Sequence, residues 1–138
     1  MPLWSKVQTS RNEMVSMACT TPAARLTARP AVTQRATELG IAYVLQGVED
    51  KRAAFETLAA KLGIPAGETG FMGDEVVDLP VLRRCGFACA PAQADERVRA
   101  SAHYVTRAPA GAGAAREACE FVLRAQGRLD SALARYLA

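Results

Sequence analysis

Aromatic residues make up only 6% of this sequence, histidine occurs once, at position 103, and no aspartate stands before Asp50. Each shortage excludes something. One histidine cannot build a histidine-rich metal centre. Four cysteines give a single close pair, Cys85-x3-Cys89, with Cys19 and Cys119 far away. A structural zinc site needs about four ligands at matched spacings, so buried, reduced thiols of a cytosolic protein fit better. No apolar run approaches the roughly 20 residues that cross a bilayer. The opening MPLWSKVQTSRNEMV lacks the apolar core of a secretory leader. A soluble, cytoplasmic chain with no membrane partner is expected. Seventeen basic residues against 14 acidic ones, a net +3, are too balanced to imply nucleic acid. The local cluster Arg116, Arg124, Arg128 and Arg135 reads as solvated helix faces.

What is present suits one small domain. The chain has 138 residues, half of them hydrophobic, enough for a core at that length. Residues 1–30 mix Thr, Ser, Pro, Arg and Met without a clean period and read as an atypical, poorly ordered segment. From residue 31 the pattern is regular. AVTQRATELG predicts a helix stopped by Gly40, and IAYVLQ (41–46) a buried strand. EDKRAAFETLAAKLG predicts a helix with Ala54, Leu58 and Leu62 on one face and Gly63 as its stop. ETGFMGD predicts a strand, EVVDLPVLRRCG a helix with its proline in the first turns, and GFACAPA a strand. DERVRASA then gives a short helix, HYVT a strand, and AREACEFVLRAQGRLDSALARYLA a terminal helix interrupted at Gly127. Alternating short strands and helices predict an α/β fold, a parallel sheet covered on both faces.

Chemistry concentrates in GFMGDEVVDLPVL, residues 70–82. Ligands of open α/β sheets bind beyond the carboxyl ends of strands, and Asp74 falls there. Crowded carboxylates repel one another, and a hard cation such as Mg²⁺ relieves the repulsion while leaving positions for a phosphate. An acidic helix start, favoured by the helix dipole, explains the same residues equally well. Asp78, one turn on, fits either a ligand or a support for the loop. Lys51 heads a helix, where it can neutralise a phosphate or simply face solvent.

Taken together, RATELGI (35–41), QGVEDK (46–51), GDEVVDLPV (73–81), ADERVRASAHYVT (94–106) and AREACEFVLRAQGRLD (115–130) resemble the haloacid dehalogenase superfamily of phosphatases. Within it they are most similar to the branch that dephosphorylates an eight-carbon sugar acid, 3-deoxy-D-manno-octulosonate 8-phosphate. The resemblance implies a Rossmann-like three-layer sandwich over residues 31–138 and Mg²⁺-dependent phosphomonoester hydrolysis in a homotetramer. It implies that Asp74, Glu75 and Asp78 form the metal loop, with Glu75 where a second Asp is usual. Lys51 would steady the nucleophile and the phosphoryl group, and Arg35 would grip the substrate. Thr27-Ala28-Arg29 would be the second motif, Thr27 catalytic and Arg29 binding substrate.

The sequence also departs from that pattern. The superfamily attacks phosphorus with the first Asp of an early Asp-x-Asp motif, and here only Glu13 and Glu38 precede Glu49 among the acids. The strand carrying that motif lies mid-sheet in the superfamily, so the expected fold has its first strand missing or altered. The usual Gly-Gly-Arg-Gly, which reaches toward a neighbouring subunit, stands here as Ala110-Gly111-Ala112-Gly113. Two readings follow: a phosphatase, or a truncated, non-catalytic fragment or pseudoenzyme. A phosphoacceptor receiver domain is a poor third, because Lys51 and Lys61 both precede Asp74.

Overall fold

A computed structural model describes residues 30–138. Thr27, Arg29 and nearly all of the segment expected to be poorly ordered lie outside the described residues. The chain divides into two compact units at Phe55, within one helix.

In residues 30–54, α1 (Pro30–Glu38) opens on proline, whose fixed φ and missing N–H suit a helix start. It closes as the sequence predicts. Gly40 takes φ 68°, its N–H bonds the carbonyl of Thr37, and the Ile41 N–H reaches back to Ala36. That double bond satisfies carbonyls left open at a helix end, and glycine adopts the turn without a Cβ penalty. The same closure recurs at Gly63 and Gly127.

IAYVLQ is not a strand. Residues 41–46 carry no strand assignment, and the Gln46 side chain bonds the Thr33 hydroxyl of α1 at 3.1 Å. β-branched and aromatic content makes such a run competent for a sheet, but a strand exists only through its ladder. No described strand pairs with it.

α2 (Lys51–Leu62) begins with Asp50 ahead of it, whose carboxylate accepts the Ala53 N–H at 2.9 Å. Beyond Phe55 come β1 (Gly70–Met72), α3 (Leu79–Leu82), β2 (Phe87–Ala90), α4 (Glu96–Ser101), β3 (Tyr104–Val105), α5 (Ala114–Ala125) and α6 (Leu129–Leu137). The expected helix at 75–86 is a 3₁₀ turn, Val76–Asp78, leading into α3, with Pro80 at its start. The strands form one parallel sheet in the order β1-β2-β3, with Gly70 opposite Phe87 and Cys89 opposite Tyr104. The superfamily's early strand is not among the described residues.

The middle strand β2 is the centre of the core. Ala88, Cys89 and Ala90 are buried, together with Val81 and Leu82 of α3 and Val98 of α4. Cys85 and Cys89 are buried free thiols. Burial raises both, Cys89 to about 11, so they remain protonated and inert. Three of the aromatics are gathered: Phe121 of α5 stacks on Tyr104 at 4.1 Å and on Phe87 at 5.7 Å.

The lone histidine is a structural pin. His103 Nδ1 accepts the Ala88 N–H at 2.8 Å, while the main-chain N–H of His103 donates to the Ala88 carbonyl, also at 2.8 Å. Ala88 is 0% exposed. His103→Phe keeps a ring to stack on Phe87 but removes the acceptor. An orphaned buried N–H costs about 1–3 kcal/mol. The expected melting temperature is therefore lower by roughly 5 °C or more; an unchanged melt would show that the bond contributes nothing.

Candidate active site

Because β1, β2 and β3 are parallel, the segments after them emerge at one edge of the sheet. Asp74 follows β1, residues 91–95 follow β2 and residues 106–113 follow β3.

The Asp74 turn is shaped by main-chain bonds. The Gly73 N–H continues the ladder to the Cys89 carbonyl at 3.1 Å. Asp78, 3% exposed, turns its carboxylate inward, and its Oδ2 accepts the N–H groups of both Asp74 and Glu75 at 3.0 Å. Glu75 reciprocates, its side chain accepting the Asp78 N–H in a capping box. A side chain at Gly73 would collide with this arrangement, since a Cβ there lies 2.5 Å from the Asp78 Cβ. Three acids close in sequence therefore divide their roles. Glu75 and Asp78 are engaged with backbone donors. The Asp74 carboxylate is exposed and makes no hydrogen bond or ion pair among the described residues.

The loop after β2 is fastened to this turn, and the loop after β3 is fastened to the loop after β2. The Asp95 N–H donates to the Asp74 carbonyl at 3.0 Å. Asp95 also caps α4: its Oδ1 accepts the N–H of Arg97, and the Arg97 guanidinium grips both oxygens at 2.9 Å. These bonds hold the Asp95 carboxyl at about 2, well under the usual carboxylate range. The loop after β3 is held by Glu117 of α5. Its carboxylate accepts the N–H groups of Arg107 and Ala108 and the hydroxyl of Tyr104. Those bonds lower Glu117 and, in return, raise Tyr104. Gln93 joins the two loops, its Oε1 accepting the Ala110 N–H at 2.9 Å.

Of the other residues expected at the site, Lys51 is buried at the head of α2. Arg35, on α1, pairs with Glu38 at 3.0 Å and borders an apolar pocket of about 340 Å³ with Val32, Leu39 and Ile41. Both belong to residues 30–54, and Asp74 to the other unit. Asp95, Glu117 and His103 were not legible as structural fasteners. Only Asp95 leaves a sequence trace, an Asp just ahead of a helical run.

A parallel sheet with a Gly-Asp turn at the carboxyl end of β1 is a Rossmann-like α/β scaffold, in which ligands bind beyond the strand ends. The chain belongs to the haloacid dehalogenase-like hydrolase family, which it matches over residues 20–117. It is 41% identical over 101 residues to the 3-deoxy-D-manno-octulosonate 8-phosphate phosphatase of Escherichia coli K12, an alignment covering 73% of this chain and 54% of that protein. It thus spans about half the length of the curated relatives it matches. A probable YrbI family phosphatase from Pseudomonas syringae superposes with a TM-score of 0.78 at 44% identity, over 80% of this chain and 63% of that one. The 3-deoxy-D-manno-octulosonate 8-phosphate phosphatase of Moraxella catarrhalis, solved with magnesium, phosphate and KDO, gives 0.77 at 38% identity, over 79% and 63%.

The donors suit a hard divalent cation in kind, since a carboxylate oxygen is what Mg²⁺ prefers. In number they are few. Among the described residues no group of three or more His, Cys, Asp or Glu side chains converges to hold a metal. Of the three acids, Asp74 is the exposed one, and its carboxylate is the one open to such an ion.

Proposed function

We propose that this chain supplies the Asp74 side of a Mg²⁺-dependent phosphomonoesterase acting on 3-deoxy-D-manno-octulosonate 8-phosphate, releasing the sugar acid and phosphate. One observation carries this reading: an exposed Asp74, braced from behind by Asp78, at the carboxyl end of β1 in a chain 38% identical to a phosphatase solved with magnesium and phosphate. When bound, the cation would supply positive charge to the phosphoryl oxygens. Asp78 and Glu75 keep the turn from rearranging, so Asp74 presents its carboxylate without a reorganisation cost. Lys51 would neutralise phosphoryl charge, Arg35 and Arg29 would hold the substrate's anionic groups, and Thr27 would donate to a phosphoryl oxygen. A homotetramer in the cytoplasm completes the proposal.

A second reading is favoured by a specific observation: no aspartate precedes Asp50. The family's chemistry needs an attacking carboxylate, and positioning groups alone retain a small share of the rate. Under this reading the chain is a non-catalytic fragment or pseudoenzyme. Phosphate release from the sugar-acid phosphate separates the two. The enzyme reading expects release that chelator abolishes and that Asp74→Asn lowers on the order of 10²-fold. No release from the unaltered chain at any Mg²⁺ concentration would leave the non-catalytic reading standing.

A further inference from the structure

We propose that Asp95 is a positioning residue for the Asp74 carboxylate, acting through the main chain. The inference rests on the reading of Asp74 as the cation-facing group.

The connection is short. Asp74 is held on its N–H side by Asp78 and on its carbonyl side by the N–H of Asp95, so both flanking peptides are fixed. That second bond is only as good as the backbone at position 95. Asp95 sits at φ −50° and ψ 141°, outside helical space, as an N-cap must. Its side chain enforces that conformation by taking the Arg97 N–H, and the Arg97 guanidinium locks the carboxylate in turn. The preceding residues are held too, by the Ala94 N–H on the Pro91 carbonyl and by Gln93 on Ala110. Residue 95 is therefore anchored from both sides, and its N–H is aimed at the Asp74 carbonyl before any ligand arrives.

Groups that orient a metal-holding carboxylate from behind change cation affinity about 10–100-fold when removed. Asp95→Ala should weaken Mg²⁺ binding about tenfold in a titration of the full chain, while amide exchange at position 95 becomes about tenfold faster. Asp95→Asn keeps the capping acceptor and should restore both to within about threefold. His103→Phe serves as the control for stability: it should lower the melting temperature yet leave Mg²⁺ affinity unchanged.

The outcomes separate cleanly. If Asp74→Asn binds Mg²⁺ as the parent does, the cation reading of Asp74 fails and the positioning role falls with it. If binding depends on Asp74 but Asp95→Ala binds equally well, the inference alone is overturned. Unaltered exchange at position 95 in Asp95→Ala overturns it with or without metal. Should Asp95→Ala not fold, Arg97→Ala, which strips the guanidinium from the same carboxylate, must weaken Mg²⁺ binding by about threefold or the inference is likewise rejected.

Discussion

Gly73→Ala is expected to lower the melting temperature by roughly 10 °C and to weaken the Mg²⁺ binding proposed at Asp74 by more than tenfold. The cause is local. A Cβ at position 73 meets the Cβ, Cγ and Oδ2 of Asp78 at 2.5, 2.7 and 2.8 Å. Asp78 cannot swing aside cheaply, because it is buried and its Oδ2 carries two N–H bonds. Overpacking of this kind costs about 1–3 kcal/mol, and releasing the two donors adds to it. The site suffers beyond the stability loss, because the released N–H groups belong to Asp74 and Glu75. Gly67→Ala is the matched control, since a Cβ there meets nothing within 4 Å. Calorimetric melts with a Mg²⁺ titration decide the matter. A Gly73→Ala protein that melts and binds like the Gly67→Ala protein would show that the close approach carries no weight.

The second large effect is remote from the site. Gly86→Ala should cost about 3 kcal/mol or more and so lower the melting temperature by roughly 12 °C or beyond. A Cβ at position 86 would lie 1.8 Å from the Gly67 carbonyl oxygen and 2.6 Å from its carbon. Both are backbone atoms, and the surrounding backbone is tied down. The Gly86 N–H bonds the Ala66 carbonyl at 3.1 Å, and the Phe87 N–H bonds Thr69 at 3.0 Å. Relief therefore requires β2 to part from the turn that precedes β1. A Gly86→Ala chain melting within about 3 °C of the parent would contradict this account.

The contrast between these glycines shows which information the sequence carries. Helix stops at Gly40, Gly63 and Gly127 are readable because a local period ends there, and the structure has those stops. The three strands are readable because apolar runs alternate with helical ones, which is a statement about neighbours in sequence. Gly73 and Gly86 matter for a different reason, the atoms that face them, and no local pattern encodes those. IAYVLQ fails from the same cause in reverse. Its composition suits a strand, but strand formation depends on a partner, and composition is silent about partners.

The candidate site divides along the same line. Asp74 stands out because an apolar strand ending in Gly-Asp is a local signal. That Asp78 would face inward and Asp95 would reach back 21 positions to the Asp74 carbonyl follows only from the folded backbone. Likewise the solitary histidine, unassigned by sequence, acts through one ring nitrogen that happens to meet a buried N–H.

The sheet registers have a bearing on folding speed. Gly70 pairs with Phe87 and Cys89 with Tyr104, so each pairing closes a stretch of fewer than 20 residues. The entropy of closing a loop grows only with the logarithm of its length, and short closures precede long ones. Both described strand pairings thus lie between residues 70 and 105. Kinetically, the described pairings are local ones: each joins strands fewer than 20 residues apart, so each needs only a short loop to close.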